Sequence, residues 1–207
     1  MDTVVIPETE PAPERTSEIL GRLARETDTP SVTIGTLLDA LKDRGFGIII
    51  ILFSLPNAVL PIAWVLGTPV LFFAVQLLMG LPEPWLPEAL RRPSVSRETF
   101  KKLMEYAVKY LAVIEEWLKP RWTWLTGRTM ERVIGVYMVF LTLILLVPIV
   151  PFGNALPAFG VGIIAAGLME RDGLAIVVGS IIGAVGSVYV IAVIGGTFAA
   201  LKAIFGF

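Results

Sequence analysis

The sequence predicts an all-α integral membrane protein, and three uncharged apolar blocks support that prediction. No Asp, Glu, Lys or Arg occurs in residues 45–82, 133–169 or 173–201. An apolar run of about 18 residues or more without charge is typical of a membrane-spanning segment. Charged residues make up 17% of the chain, whereas soluble domains contain about 25%.

The amino-acid composition excludes several kinds of chemical site and partner. The chain contains no cysteine and no histidine, which excludes disulfides, thiolate nucleophiles and thiolate metal sites and removes the commonest general base. The net charge of −1 provides no basic field for nucleic acid. We therefore expect no metal, no cofactor and no nucleic-acid partner. An enzyme is the least favoured class, because no nucleophile–base pair can be recognised.

The N-terminal region divides into a tail and two short helices. Residues 1–15 are acidic and proline-rich, so we expect a disordered tail rather than a secretory signal, which needs a basic start and an apolar core. Residues 16–207 are expected to form one membrane domain. Apolar residues at helical spacing predict an amphipathic helix at 16–25, with Ser17 as N-cap, and a second one after Ser31.

The first apolar block, residues 46–81, is interrupted by Pro56 and Pro61. The arm before Pro56 would be roughly 16 Å long, about half the hydrocarbon thickness. We therefore predict a half-helix at 46–55, a non-helical break at 56–61 and a return helix that begins at Thr68.

The second block, residues 133–169, has the same plan, with a predicted break at 148–157 that contains Asn154. The similarity suggests an internal, or inverted, repeat of two proline-broken hairpins that are re-entrant, as in transporters with broken helices. Two alternatives remain open. The arms are full spans, or two unrelated hairpins use the same turn residues.

The segment between the hairpins, residues 82–132, is polar and is expected to lie at the cytoplasmic interface. An amphipathic helix is predicted at 97–118 with Ser96 as N-cap. Trp117, Trp122 and Trp124 suit the headgroup level. After the second hairpin, a glycine-rich transmembrane helix is predicted at 174–194, ended by Gly195 and Gly196, and residues 195–207 are expected at the interface.

The distribution of basic residues predicts the topology. Residues 1–45 contain five of the 17 Lys and Arg residues, and residues 82–132 contain ten. Cytoplasmic flanks are enriched in Lys and Arg. We therefore predict a multi-pass protein with a cytoplasmic N-terminus.

Several short motifs stand out along the chain: residues 41–47 (LKDRGFG), 76–80 (QLLMG), 84–87 (PWLP), Glu116 with 119–121 (KPR), Pro151 with Asn154 and Pro157, and 171–173 (RDG). Together they resemble the motifs of the ExoD family of bacterial exopolysaccharide-synthesis proteins. The motifs occur in order from about residue 17 to 205, although Lys119 stands where many members have Arg. The resemblance implies a bacterial inner-membrane protein linked to exopolysaccharide production and, in some members, to alkali tolerance. It implies a process and not a reaction.

Charged candidate residues flank the hairpins. Asp43 and Arg44 precede the first, and Arg171 and Asp172 follow the second. A guanidinium at these positions could bind an anionic or polyprenyl-phosphate lipid headgroup. The structural alternatives are a snorkelling arginine, a local ion pair and a simple turn.

Polar candidates lie within the blocks and beside the interfacial helix. Asn57, Gln76 and Asn154 would either line a shared polar cavity or cap broken helix ends. Glu116 and Arg121 flank the stop after the helix at 97–118.

Two functional hypotheses follow. In the first, the protein is transporter-like or handles lipids such as polyprenyl phosphate. In the second, it is a non-catalytic accessory protein that organises the exopolysaccharide machinery as a homodimer.

Overall fold

The computed structural model describes residues 15–42, 44–59, 63–146 and 153–205. They are mostly helical, as predicted, with one small antiparallel ribbon that was not predicted. The helices are α1 (Thr16–Glu26), α2 (Ile34–Leu41), α3 (Arg44–Val59), α4 (Ala63–Met79), α5 (Glu88–Arg91), α6 (Arg97–Trp117), α7 (Arg128–Leu145), α8 (Ala155–Met169) and α9 (Gly173–Phe205). The ribbon pairs β1 (Ser31–Thr33) with β2 (Ser94–Ser96), and a 3₁₀ turn covers Thr123–Thr126.

Helices α3, α4, α7 and α8 form an up-down-up-down bundle. Where α4 meets α7, Gly67 faces Leu146 at one end and Gly135 faces Leu78 at the other. Where α3 meets α8, Gly47 faces Met169 at one end, and farther along Gly162 faces Leu55 and Ser54. The two hairpins therefore lie side by side with their turns at the same end, so the inverted form of the predicted repeat is wrong. We call the end with Arg44, Met79, Arg128 and Met169 the entrance end, and the opposite end the closed end.

The interior of the bundle is apolar and filled. Seven side chains from its four helices have relative exposures of 0–3% and belong to one cluster: Ile50, Val70, Phe73, Met138, Leu141, Val161 and Ile164. Close packing of this kind leaves few voids larger than a water molecule.

The predicted break at 56–61 is wrong for residues 56–59, and residues 60 and 61 lie outside the described residues. Helix α3 continues through Pro56 to Val59, so the arm has 16 residues and a length of about 24 Å. Pro56 removes one backbone N–H and leaves the Leu52 carbonyl without its helical partner. Helix α4 begins at Ala63 rather than at Thr68, with Pro69 inside it.

The predicted break at 148–157 is partly corrected, since residues 148–152 lie outside the described part of the chain. Gly153 and Asn154 form a turn, but Ala155, Leu156 and Pro157 are already helical. Pro157 lies in the first turn of α8, where backbone N–H groups have no helical partner, so the proline costs no hydrogen bond.

Helix α9 is continuous from Gly173 to Phe205, so the predicted end at Gly195 and Gly196 is wrong. It is the one helix among the described residues that is long and apolar enough to cross a membrane. Its first half packs closely on α8, where Gly160 faces Gly183. Apart from the adjoining turns of α9 itself, no atom of the described residues lies within 4 Å of a Cβ built on Gly195 or Gly196.

A second layer at the entrance end contains α1, α2, the ribbon and α6. The Ser96 side chain accepts a hydrogen bond from the Thr99 N–H, which confirms it as the N-cap of α6. Ser17 is not the N-cap of α1, because Arg15 occupies that position. The buried Ser17 side chain contacts Glu115 of α6 instead.

We expect Gly160→Ala to destabilise the protein because its Cβ would lie 2.7 Å from Gly183 Cα. Overpacking of this kind costs about 1–3 kcal/mol, measurable by thermal unfolding in detergent. Gly195→Ala is the matched control, because a Cβ at that position would meet no other element among the described residues and alanine is the better helix former. Equal stability of the two variants would contradict the observed α8–α9 contact.

Candidate functional site

A pocket at the entrance end brings together charged residues from both hairpins. Arg44, Glu131 and Arg171 line it together with six residues that have no polar side chain: Phe46, Gly47, Leu77, Leu81, Pro82 and Leu168. Arg44 is the first residue of α3 and Arg171 follows α8, so the antiparallel contact of these helices brings the two arginines to one place. We call this the entrance pocket.

Arg44 also connects the pocket to α1. Its Nη1 donates to Thr16 Oγ1 at 3.1 Å, and Thr16 Oγ1 donates to Glu170 Oε1 at 2.6 Å. These bonds attach the start of α1 to the ends of α3 and α8.

A second carboxylate lies close to Glu170. Glu115 is 2% exposed, and its Oε1 accepts from the Ser17 N–H at 2.8 Å while its Oε2 accepts from the Ser17 hydroxyl. Burial raises the pKa of Glu170, and the Glu115 carboxylate raises it further, against the opposing effects of Thr16 and Arg44. Sequence reasoning missed this pair, although Glu115 continues the i, i+4 stripe of Phe100, Met104 and Leu111.

Asp172 and Arg121 form a structural ion pair. Arg121 Nε donates to both Asp172 oxygens, at 2.8 and 3.0 Å, and the Asp172 side chain is fully buried. Its carboxylate also accepts from the backbone N–H groups of Lys119, Leu174 and Ala175 at 3.0–3.2 Å. It therefore caps the start of α9 and fixes the segment after α6.

The pKa of Asp172 reflects this pairing. Burial acts to raise it, but the hydrogen bonds from Arg121, Lys119 and Ala175 outweigh burial and leave the pKa below its ordinary value. A carboxylate stabilised in this way favours the folded protein at neutral pH.

Glu116 does not line the pocket. Glu116 is exposed on α6, and Asp43 lies outside the described residues. No group of three or more acidic residues among the described positions could hold a metal ion.

Gln76 is not part of a shared site with the two asparagines. Its Nε2 donates to the Trp85 carbonyl at 3.0 Å, and its Oε1 accepts from the Trp85 N–H at 2.7 Å. Because α4 runs toward the entrance end, Gln76 lies there and holds the loop that follows α4.

Three polar side chains lie at the closed end. Ser54 and Asn57 are 0% and 1% exposed. The Ser54 hydroxyl, both polar atoms of the Asn57 amide and Asn154 Oδ1 are buried without a hydrogen-bond partner among the described residues. Sequence reasoning identified both asparagines but not Ser54, which a search for polar residues one helical turn from Asn57 would have found.

Comparison with known proteins shows similarity to one family. The family model described as "Exopolysaccharide synthesis, ExoD" matches residues 16–192. An uncharacterized protein of Synechocystis sp., slr1875, is 28% identical over 156 residues, which cover 72% of this chain and 73% of that protein. Protein ExoD of Rhizobium meliloti is 25% identical over 152 residues, covering 70% of this chain and 62% of that protein. No solved structure matches the chain.

We expect Asp172→Asn to lower the stability of the folded protein by about 1.5–3 kcal/mol at pH 7, because hydrogen bonds to a buried charge are lost. The native pKa is lowered, so the contribution is complete above the ordinary pKa of 3.8 and is lost as the pH falls through the native value. Thermal unfolding should therefore separate variant and parent at pH 7 and bring them together toward pH 3. Asp39→Asn, in the exposed pair with Arg91, is the control and should cost less than about 1 kcal/mol.

We expect Glu170→Gln to stabilise the protein at pH 7–8, because the amide can still accept from Thr16 and no longer repels Glu115. The native pKa of Glu170 is raised above its ordinary 4.5, so the parent loses stability as the pH rises through that native pKa. The difference in stability between Glu170→Gln and the parent should disappear as the pH is lowered toward 4. Glu116→Gln, on the exposed neighbour, should show no such pH dependence, and an equal response of both variants would contradict the assignment.

Proposed function

The chain belongs to the ExoD family, which connects it to exopolysaccharide synthesis, and on that premise we propose that it is a membrane-embedded protein whose entrance pocket binds a lipid-linked phosphate. The convergence of Arg44 and Arg171 beside apolar side chains in one pocket is the observation that supports this proposal. The ligand class is an anionic lipid of the polyprenyl-phosphate type.

Membrane embedding is supported by the outer surface of the bundle. Large apolar side chains on all four helices face outward, with exposures of 37–63%: Leu52, Phe72, Val75, Val136, Phe140, Leu143 and Phe159. Exposed tryptophans lie at its two ends, Trp64 at the closed end and Trp85, Trp122 and Trp124 toward the entrance end. Aromatic side chains at two levels with an apolar band between them are typical of a protein in a bilayer.

The pocket has the chemistry that a phosphate on an apolar chain requires. Arginine presents a planar fork of donors that matches phosphate oxygens. Phe46, Leu77 and Leu168 could contact the first hydrocarbon units of the lipid. The Glu131 carboxylate in the same lining offsets part of the positive charge of the two arginines.

Binding at one interface fits the structure better than transport through the bundle. The seven-residue apolar interior lies between the entrance pocket and the polar atoms of the closed end. A transport route would need polar groups or water along this path. We therefore propose that the protein holds or presents a lipid phosphate at the side of the membrane where both hairpins begin.

A scaffold role as a homodimer is the alternative, and the end of α9 is the feature that favours it. Phe198, Leu201, Ile204 and Phe205 are exposed there at 44–74%. Lipid would cover the same side chains equally well, so the pocket provides the stronger argument.

The test is binding of polyprenyl phosphate, with the uncharged polyprenol as comparison, to purified protein in nanodiscs. We expect Arg44→Gln and Arg171→Gln each to weaken phosphate-lipid binding at least about tenfold, since each removes charge-assisted hydrogen bonds. Binding of the polyprenol should not change. In cells, both variants should reduce exopolysaccharide output.

Arg92→Gln is the matched control, because Arg92 pairs with Glu88 in a fully exposed i,i+4 contact. Thermal unfolding of every variant separates ligand binding from folding, which matters for Arg44 because it also bonds Thr16. Equal affinity of the parent for polyprenyl phosphate and polyprenol would refute the proposal.

A further inference from the structure

Helix α6 has two apolar stripes, and only one of them is buried. The buried stripe, which includes Phe100, Met104 and Leu111, belongs to one cluster with Leu20 of α1 and Met169 at the end of α8. The second stripe remains largely exposed, with relative exposures of 50–79%: Leu103, Tyr106, Tyr110, Val113 and Trp117. An exposed run of large apolar side chains along one face is typical of an interaction site.

The exposed stripe has the spacing of a coiled-coil seam. Its members follow one another at intervals of three, four, three and four residues, the alternation by which the a and d positions of a heptad form a contact between two helices. Tyrosine and tryptophan supply three of the five side chains, and both are enriched at protein interfaces. The stripe is therefore suited to pack against another helix.

The charges along one edge of this stripe indicate which helix that is. Lys102, Lys109 and Glu116 recur every seven residues beside the seam, and all three are exposed. If two copies of α6 lie antiparallel about a twofold axis, the same edge of both helices meets. Lys102 of each copy then lies beside Glu116 of the other, and the two Lys109 side chains face each other near the axis. Two attractive contacts thus outnumber one repulsive contact, so the edge is complementary to itself.

The same antiparallel register also aligns the apolar side chains. With the twofold axis near position 108, Leu103 of one copy lies opposite Val113 of the other, and Tyr106 lies opposite Tyr110. Each layer of the seam then contains one a and one d side chain. Charge pairing and apolar packing therefore favour one and the same arrangement.

Two other arrangements fit the stripe less well. A parallel pair would place the charged edge against the opposite edge of the seam, where Ala107 and Ile114 carry no charge. An anionic lipid surface favours a helix rich in Lys and Arg on its polar face. Apart from Arg97, which is paired with Asp28, the charged side chains outside the buried stripe are balanced, three against three: Lys101, Lys102, Lys109, Glu98, Glu105 and Glu116.

We propose that α6 pairs with α6 of a second copy of this chain, antiparallel and through the exposed stripe, to form a twofold-symmetric dimer. Such a contact uses the same surface on both copies, so it limits the assembly to two chains. The surface differs from the entrance pocket and from the end of α9. The inference therefore does not depend on the function proposed for the pocket.

The experiment measures the monomer–dimer equilibrium of the purified full chain by sedimentation equilibrium in detergent. We expect a reversible dimer. Lys102→Glu and Glu116→Lys should each raise its dissociation constant at least about fivefold, because each places like charges together at two points. The two substitutions in one chain should restore the parent value, since the charges again match. Glu105→Lys makes the same charge change on α6 away from the seam and is the matched control.

Cysteine cross-linking in membrane vesicles tests the orientation. The chain has no cysteine, so each introduced thiol is unique. With a short bifunctional maleimide, Lys109→Cys should cross-link to itself, whereas Lys102→Cys and Glu116→Cys should cross-link only when the two variants are expressed together. Self-cross-linking of all three variants would indicate a parallel pair and would overturn the proposed arrangement.

A substitution in the seam tests the apolar contact. Tyr110→Lys should raise the dissociation constant at least about tenfold, because it would bury a charge in the seam. It should leave the thermal stability of the monomer unchanged, since Tyr110 is 67% exposed. Ile204→Asn, at the exposed end of α9, should not affect the equilibrium. A monomer in both detergent and vesicles would overturn the proposal, as would a dimer that Tyr110→Lys leaves intact or that the double charge exchange fails to restore.

Discussion

The contact of α8 with α3 on one side and α9 on the other is the constraint on which the structure depends. In both contacts the backbone of the neighbouring helix comes close to a glycine. A Cβ on Gly47 would approach the Ala165 carbonyl at 2.9 Å, and one on Gly179 would approach the Gly160 carbonyl at 2.8 Å. Small residues let helices approach closely where water does not drive association. This close approach places Arg44, Glu170 and Arg171 within one small region of the entrance end.

Features of the fold that depend on local sequence could be predicted. The amphipathic stripe of α6 and its Ser96 cap are encoded within one segment, and the structure agrees with both. The ends of the apolar helices could not be predicted in this way. Pro56 and the pair Gly195–Gly196 are poor helix residues in water, yet the helix continues through them. In the bilayer that we propose around the protein, no water would compete for backbone groups, and the helix would be the favoured state even for such residues. The pairing of β1 with β2 was also missed, because it joins three-residue segments more than sixty positions apart.

The candidate site residues also divide into those that the local sequence identifies and those whose role depends on distant segments of the chain. The sequence identified Arg44 and Arg171 because Arg44 precedes the first hairpin and Arg171 follows the second. The structure brings both to the entrance pocket. Glu115 lies on the buried stripe of α6, but its bonds to Ser17 and its proximity to Glu170 depend on distant segments of the chain, so the local sequence does not reveal the pair of carboxylates. Gln76 was misplaced for a different reason. Its depth in the membrane was judged from distance along the apolar block, whereas its amide in fact bonds the main chain of the loop after α4. Asp172 looked like a binding residue from its motif, but four donors from its own chain already saturate its carboxylate.

For a protein embedded in a bilayer as proposed, the different lengths of the helices have a consequence for the surrounding lipid. The bundle helices contain 15–18 residues and are about 22–27 Å long, whereas α9 contains 33 residues and is about 50 Å long. A hydrocarbon layer of about 30 Å matches neither length. Lipid next to the short helices has to compress, while α9 has to tilt or extend beyond the apolar layer. In a bilayer, the protein would therefore impose an asymmetric hydrophobic mismatch, with a thinned patch of lipid on the side of the four-helix bundle.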